Sequence, residues 1–100
     1  MNRYYILKDK KVIPVNDVLE WAKMFENQDR TVAEDNIGEV RISTVFLGLN
    51  HRFGEGEPLI FETMIFGGEL DQEMDRYSTY EEAEKGHKFM VKRVKEKTNE

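Results

Sequence analysis

Glu62 and the two histidines, His51 and His87, are side chains whose types would allow proton transfer or metal ligation if they met as one group. Glu62 is the one ionisable residue within the apolar run LIFETMIF, residues 59–66. A carboxylate in such a run must face water at a pocket, pair with a donor or give up its charge, because burying it alone is too unfavourable. His51 follows the apolar run VFLGL, residues 45–49, where the chain leaves a strand. Loops at strand ends often carry function, although a turn role suits His51 equally. His87 lies at helical spacing from Ala83 and Met90. It either faces Glu62 across a helix–sheet interface or is a core histidine satisfied by a hydrogen bond. Two histidines and a carboxylate can form a metal set, but their spacing matches no compact ligand motif. The catalytic candidates are thus Glu62, His51 and His87, with a metal site on the same three as the alternative. The binding candidates are Glu62, Asn50, His51, Arg52 and Phe53. No cofactor is expected.

Other chemistries are excluded or unsupported. Cysteine is absent, which removes disulfides, thiolate metal sites and thiol nucleophiles. The Gly-Glu-Gly-Glu run at 54–57 and the pair Gly67-Gly68 lack the Lys-Ser/Thr ending of a phosphate loop, and the carboxylates of the first would repel phosphate. No Ser or Thr has a nucleophile-elbow context. Glu62 with Glu55, Asp71 or Asp75 would supply paired carboxylates for acid–base work, yet acidic loops are ordinarily just solvated.

One hundred residues fit one domain, 1–100, with 97–100 expected to fray. The net charge of −5 is unevenly spread. Between Phe53 and Asp75 seven acidic residues stand without Lys or Arg, whereas 85–97 holds six basic residues against Glu96 alone. The acidic excess argues against nucleic acid as a partner. No stretch approaches the roughly 20 apolar residues of a membrane span, and the N-terminal apolar run is too short for a signal peptide. A cytoplasmic location follows as the expectation.

The elements that must position these residues read as ββαβββα. Residues 4–7 and 12–15 flank the polar turn Lys8-Asp9-Lys10-Lys11 and predict a hairpin, with Pro14 placing its second strand at an edge. Asp17, with Asn16 as a rival, caps a helix whose stripe is Val18, Trp21, Ala22 and Phe25. Strands follow at 31–34 and 39–49 around the turn Asp35-Asn36-Ile37-Gly38, and a third at 59–66. In the last, Phe61, Thr63 and Ile65 alternate with Ile60, Glu62, Met64 and Phe66. Residues 45–49 are apolar on both faces, which calls for cover by helices on both sides or by another chain. Residues 69–76 read as a surface loop or a short edge strand. Ser78 and Glu81 form a capping box opening a helix over 79–95, buried along Tyr80, Ala83, His87, Met90 and Val94. The fold class is α+β, an antiparallel sheet of about five strands with two helices.

The strings ISTVFLGLNH (42–51), LIFETMIFGG (59–68) and RYSTYEEAEKGH (76–87), with EWAKMFENQDRTVA (20–33) and RYYILKDKKVIPV (3–15), resemble a family of small uncharacterised proteins encoded in tailed-phage and prophage genomes. Asn50 stands where that family would have an acidic residue, and Tyr80 where it would have Trp. The resemblance implies context alone: an accessory factor that binds a host or phage protein in the host cytoplasm. The expected function is a non-enzymatic protein-binding module, with a homodimer as one assembly, acting through the surroundings of Glu62, the 50–58 loop and the acidic 69–75 segment. The alternative is a small hydrolase or ligand- or metal-binding protein with Glu62, His51 and His87 in one cleft.

Overall fold

The computed structural model describes residues 3–98. Asp9 and Lys10, both at positive φ (51° and 67°), close a two-residue turn between β1 (Tyr4–Lys8) and β2 (Lys11–Val15). Such a turn matches the natural twist of paired strands. Helix α1 (Val18–Glu26) starts at Asp17, whose carboxylate accepts from the amides of Leu19 and Glu20. No residue of α1 is fully buried. Trp21 packs between Tyr4 and Phe25, and its indole N–H donates to the Tyr5 carbonyl at 2.8 Å. Of the expected stripe, Val18 and Ala22 stay exposed, Trp21 anchors the hairpin, and Phe25 packs against the main core beside Phe46.

The remaining strands, β3 (Thr31–Ile37), β4 (Val40–Phe46), β5 (Phe61–Phe66) and β6 (Met74–Tyr77), form an antiparallel sheet in chain order. The chain is α+β, but the six strands of the described residues divide into sheets of two and four rather than one of five. β3 runs three residues beyond expectation, so the turn falls on Gly38 and Glu39, with Ile37 paired to Val40. Gly38, at φ +59°, takes the turn position that demands a positive φ. The segment Met74–Tyr77 is an edge strand, the second of the two readings open from sequence.

β4 ends at Phe46, three residues earlier than the apolar run implied. Leu47 then donates to the Ile60 carbonyl, Gly48 accepts from the Tyr5 amide, and Leu49 bridges Tyr4. Thus the run beyond β4 is covered by the hairpin and, at Gly48, by Phe25 of α1, while Val45 lies half-buried on the face opposite α2 beside Glu62. Gly48, at φ +75°, lies so close to Phe25 that a Cβ there would stand 2.3 Å from the ring. Ile60 precedes β5 and is buried with Phe61 instead of facing away from it, because its backbone pairs with Tyr77 before the regular alternation starts.

Helix α2 (Tyr80–Thr98) covers one face of the four-stranded sheet with Ala83, His87, Met90 and Val94 buried. Its capping box sits one residue later than expected: the Glu82 amide donates to the Thr79 hydroxyl, and the Thr79 amide donates to the Glu82 carboxylate. Lys97 and Thr98 are helical, whereas residues 99 and 100 of the expected frayed end lie outside the described residues. Two apolar clusters result. Tyr5, Phe46, Ile60, Phe61 and Ala83 form one; Val40, Ile42, Ile65, Met90 and Val94 form the other. Full burial of each large side chain contributes about 1.5–3 kcal/mol. Between the clusters, on the same face, lies a polar layer of Thr44, Thr63 and His87. Among the described residues no helix lies on the opposite face, since α2 occupies the first face and α1 sits on the hairpin.

The charge asymmetry is resolved by pairing. Arg93 and Lys97 of α2 reach Glu73 at 2.7 Å and Glu69 at 3.9 Å. Each exposed pair contributes little, about 0–1 kcal/mol, but Glu69 and Glu73 are turned toward the helix rather than offered as a free acidic rim.

Candidate functional site

Strand alternation separates the residues that the sequence would bring together. Thr63 faces α2, so Glu62 projects from the opposite face, where Arg76 lies directly across from it on β6. The Arg76 Nε–H donates to Glu62 Oε2 at 3.0 Å, and the Glu62 side chain is 17% exposed. Of the three fates open to a carboxylate in this strand, pairing with a donor is the one realised. His87 is on the α2 side, bound to Thr44 and Asp35. Glu62, His51 and His87 therefore do not share a cleft. Among the described residues no group of three or more His, Cys, Asp or Glu side chains is placed to hold a metal ion.

The polar layer around His87 is a directed hydrogen-bond chain. The Asp35 carboxylate can only accept, so the His87 Nε2 atom, 2.7 Å from it, carries a proton. When Nε2 carries the only ring proton, His87 Nδ1 accepts from the Thr44 hydroxyl at 2.7 Å, and Thr44 Oγ1 in turn accepts from Thr63 at 2.5 Å. An acid, an imidazole and a hydroxyl in series are the parts of a nucleophilic triad. Here, however, Thr44 and Thr63 are 0% exposed and His87 is 3% exposed, and the Thr44 hydroxyl proton is committed to the imidazole. No reactant reaches them. The chain is a core element that fixes helix against sheet.

Tyr77 closes this layer. Its ring lies against Gly86, and its hydroxyl is buried with no hydrogen-bond partner among the described residues. Burial pushes its pKa above the ordinary 10.0; the Thr63 hydroxyl beside it works the other way, and the Asp75 charge adds to the rise. The folded chain keeps a proton that the unfolded chain releases near pH 10, so this contribution is complete below that pH and is lost as pH climbs through the folded value. Urea unfolding between about pH 8 and pH 11 should show a steeper alkaline loss for the natural chain than for Tyr77→Phe. At neutral pH Tyr77→Phe should be neutral or stabilising by up to about 1 kcal/mol, since it removes an unsatisfied hydroxyl.

The second polar constellation is accessible. Asn50 folds the 50–58 loop onto itself: its Oδ1 accepts from the amides of Arg52 and Leu59 at 2.9 and 3.1 Å, while its own amide donates to the Arg3 carbonyl at 3.0 Å. The His51 amide donates to the Leu59 carbonyl, and Arg52 Nε donates to the Glu57 carbonyl at 2.6 Å. The Arg52 side chain lies over Gly56, whose φ is +127°. Phe53, at the tip of this pinned loop, is 100% exposed. Below it opens a cleft of about 380 Å³ lined by Arg3, Arg52, Arg76, His51, Asn50 and Phe53.

Four of the five binding candidates thus line one cleft, and Glu62 adjoins it through Arg76. Sequence reasoning missed Arg3, Arg76 and the Asp35–Thr44–Thr63 partners of His87. Arg76 is legible only once the register of β5 against β6 sets it opposite Glu62. Asp35 reads as a turn residue in sequence, whereas it belongs to β3. No described helix is long and apolar enough to cross a membrane. Comparison with protein-family models, curated proteins and solved structures gave no match.

Proposed function

We propose that this chain is a non-enzymatic protein-binding module whose contact surface is the 50–58 loop, the arginine-lined cleft below it and the adjoining open sheet face. The observation that carries this reading is Phe53, a fully exposed ring on a loop pinned by Asn50, His51 and Arg52. A ring carried on a loop whose neighbouring backbone is already hydrogen-bonded costs less chain ordering on docking, and aromatic and arginine side chains dominate the energetics of protein interfaces. The open face continues the surface with the exposed Phe66 and Met74 and the half-buried Met64, bordered by the ion pairs Glu34–Arg41 and Glu62–Arg76. That apolar patch with a polar rim fits an interface.

The resemblance to phage and prophage proteins supports a host or phage protein as the partner. A homodimer is a second reading favoured by one observation: the charges of the open face are paired within it, so a second copy of the chain would meet little repulsion. A hydrolase or metal site built on Glu62, His51 and His87 gains no support from the geometry.

A photo-crosslinking phenylalanine analogue placed at position 53 should give a discrete adduct in host or phage-infected cells. The same analogue at position 89, an exposed site on α2, should not. Phe53→Ala should then weaken binding of the captured protein by about tenfold or more. Identical adducts from positions 53 and 89, or none from position 53, would remove the reading. An adduct between two copies of the chain would select the homodimer.

A further inference from the structure

We infer that the cleft under the 50–58 loop is an oxyanion site, receiving a carboxylate or phosphate group that the partner protein presents. The source of the anion rests on the binding-module reading; the chemistry of the cleft does not. The chain as a whole carries a net charge of −5, yet the residues lining this cleft include three arginines and no acid. Arg52 and Arg76 each have the Nε–H occupied, by the Glu57 carbonyl at 2.6 Å and by Glu62 Oε2 at 3.0 Å. These bonds orient both guanidinium planes, while no described residue takes their terminal Nη groups. A guanidinium held at Nε is a fork prepared for two parallel hydrogen bonds to an oxyanion.

The charge count specifies the ligand further. Among the groups that line the cleft or bind its arginines, Arg3, Arg52 and Arg76 contribute three positive charges and Glu62, through Arg76, one negative, leaving an excess of two. Glu55 and Glu57 of the same loop are exposed to solvent and line no part of it. A phosphate dianion or two neighbouring carboxylates would balance it. The Glu62–Arg76 pair thereby acquires a role: the carboxylate, packed beside Val45 and Arg76 in the sheet register, aims the arginine at the cleft while neutralising only one of the three cations.

The test uses the full chain with ¹⁵N-labelled arginine, following each Nε–Hε resonance by NMR at constant ionic strength. Inorganic phosphate and, separately, glutarate are the probes. The Arg52 and Arg76 signals should shift saturably, whereas those of Arg41 and Arg93, paired with Glu34 and Glu73, should stay still. Arg76→Gln should weaken the binding by about tenfold. Saturation by phosphate alone would assign the group to a phosphorylated partner, and saturation by glutarate would extend it to acidic side chains. Uniform, unsaturable drift of all arginines, or unchanged phosphate affinity in both Arg52→Gln and Arg76→Gln, would overturn the site. A lost site with crosslinking at position 53 intact would leave the binding module standing. Saturation with no crosslink would do the opposite.

Discussion

His87→Leu should lower the unfolding free energy by about 3 kcal/mol, although leucine is similar in size and suits a helix better. Without the imidazole, Thr44 and Thr63 can pair only with each other, so one buried hydroxyl proton and the lone pairs facing the lost ring are stranded between apolar clusters. Asp35 needs no new partner, because its side chain is 53% exposed and water can replace the ring. The penalty is therefore located in Thr44 and Thr63. Converting both to valine in the His87→Leu background should recover most of the loss, since replacing all partners by apolar groups of like shape removes the stranded donors. Urea denaturation of the single and triple variants measures this directly. A triple variant less stable than His87→Leu would show that the layer is not a closed hydrogen-bond unit.

Gly86→Ala should reverse the sign that helix propensity assigns to it. In an exposed helix interior the change stabilises by about 1 kcal/mol. Here a Cβ would lie 2.2 Å from Cζ and the hydroxyl oxygen of Tyr77. Tyr77 is packed into the cluster around Phe46 and Phe61 and is held by β6, so helix and strand must separate to admit the methyl group. A net destabilisation of about 2 kcal/mol is expected. Tyr77→Phe should not relieve it, because the ring carbon itself is in the way. In a Tyr77→Val background the same Gly86→Ala change should become favourable, and thermal melts of the four variants would yield the coupling. Additive effects would mean that the glycine is not what lets α2 approach the sheet.

Local signals carried much of this fold. The Lys8-Asp9-Lys10-Lys11 turn, the Asp17 cap and the stripe Ala83–His87–Met90–Val94 were legible because each depends on neighbours within one turn or one strand. Boundaries were less legible. β3 extends through Asp35 and Asn36, residues ordinarily favoured in turns, because pairing with Ile42 and Arg41 holds them extended. The capping box moved from Ser78 to Thr79 because both residues offer a hydroxyl three positions before a glutamate, and only the path of the chain from β6 into α2 selects between them.

By itself the sequence determined that Glu62 had to be accommodated, that His87 belonged to a buried helix face, and that Asn50, His51, Arg52 and Phe53 formed a loop at a strand end. It also set the composition that rules out cysteine chemistry. Only the tertiary structure decided which groups meet. A strand sends adjacent residues to opposite faces, so a single step from Thr63 to Glu62 separates the buried His87 layer from the Arg76 cleft. The partners Asp35, Thr44 and Arg76 lie 52, 43 and 14 positions from the residues they bind. Contacts over such distances depend on register and packing, which no local pattern encodes.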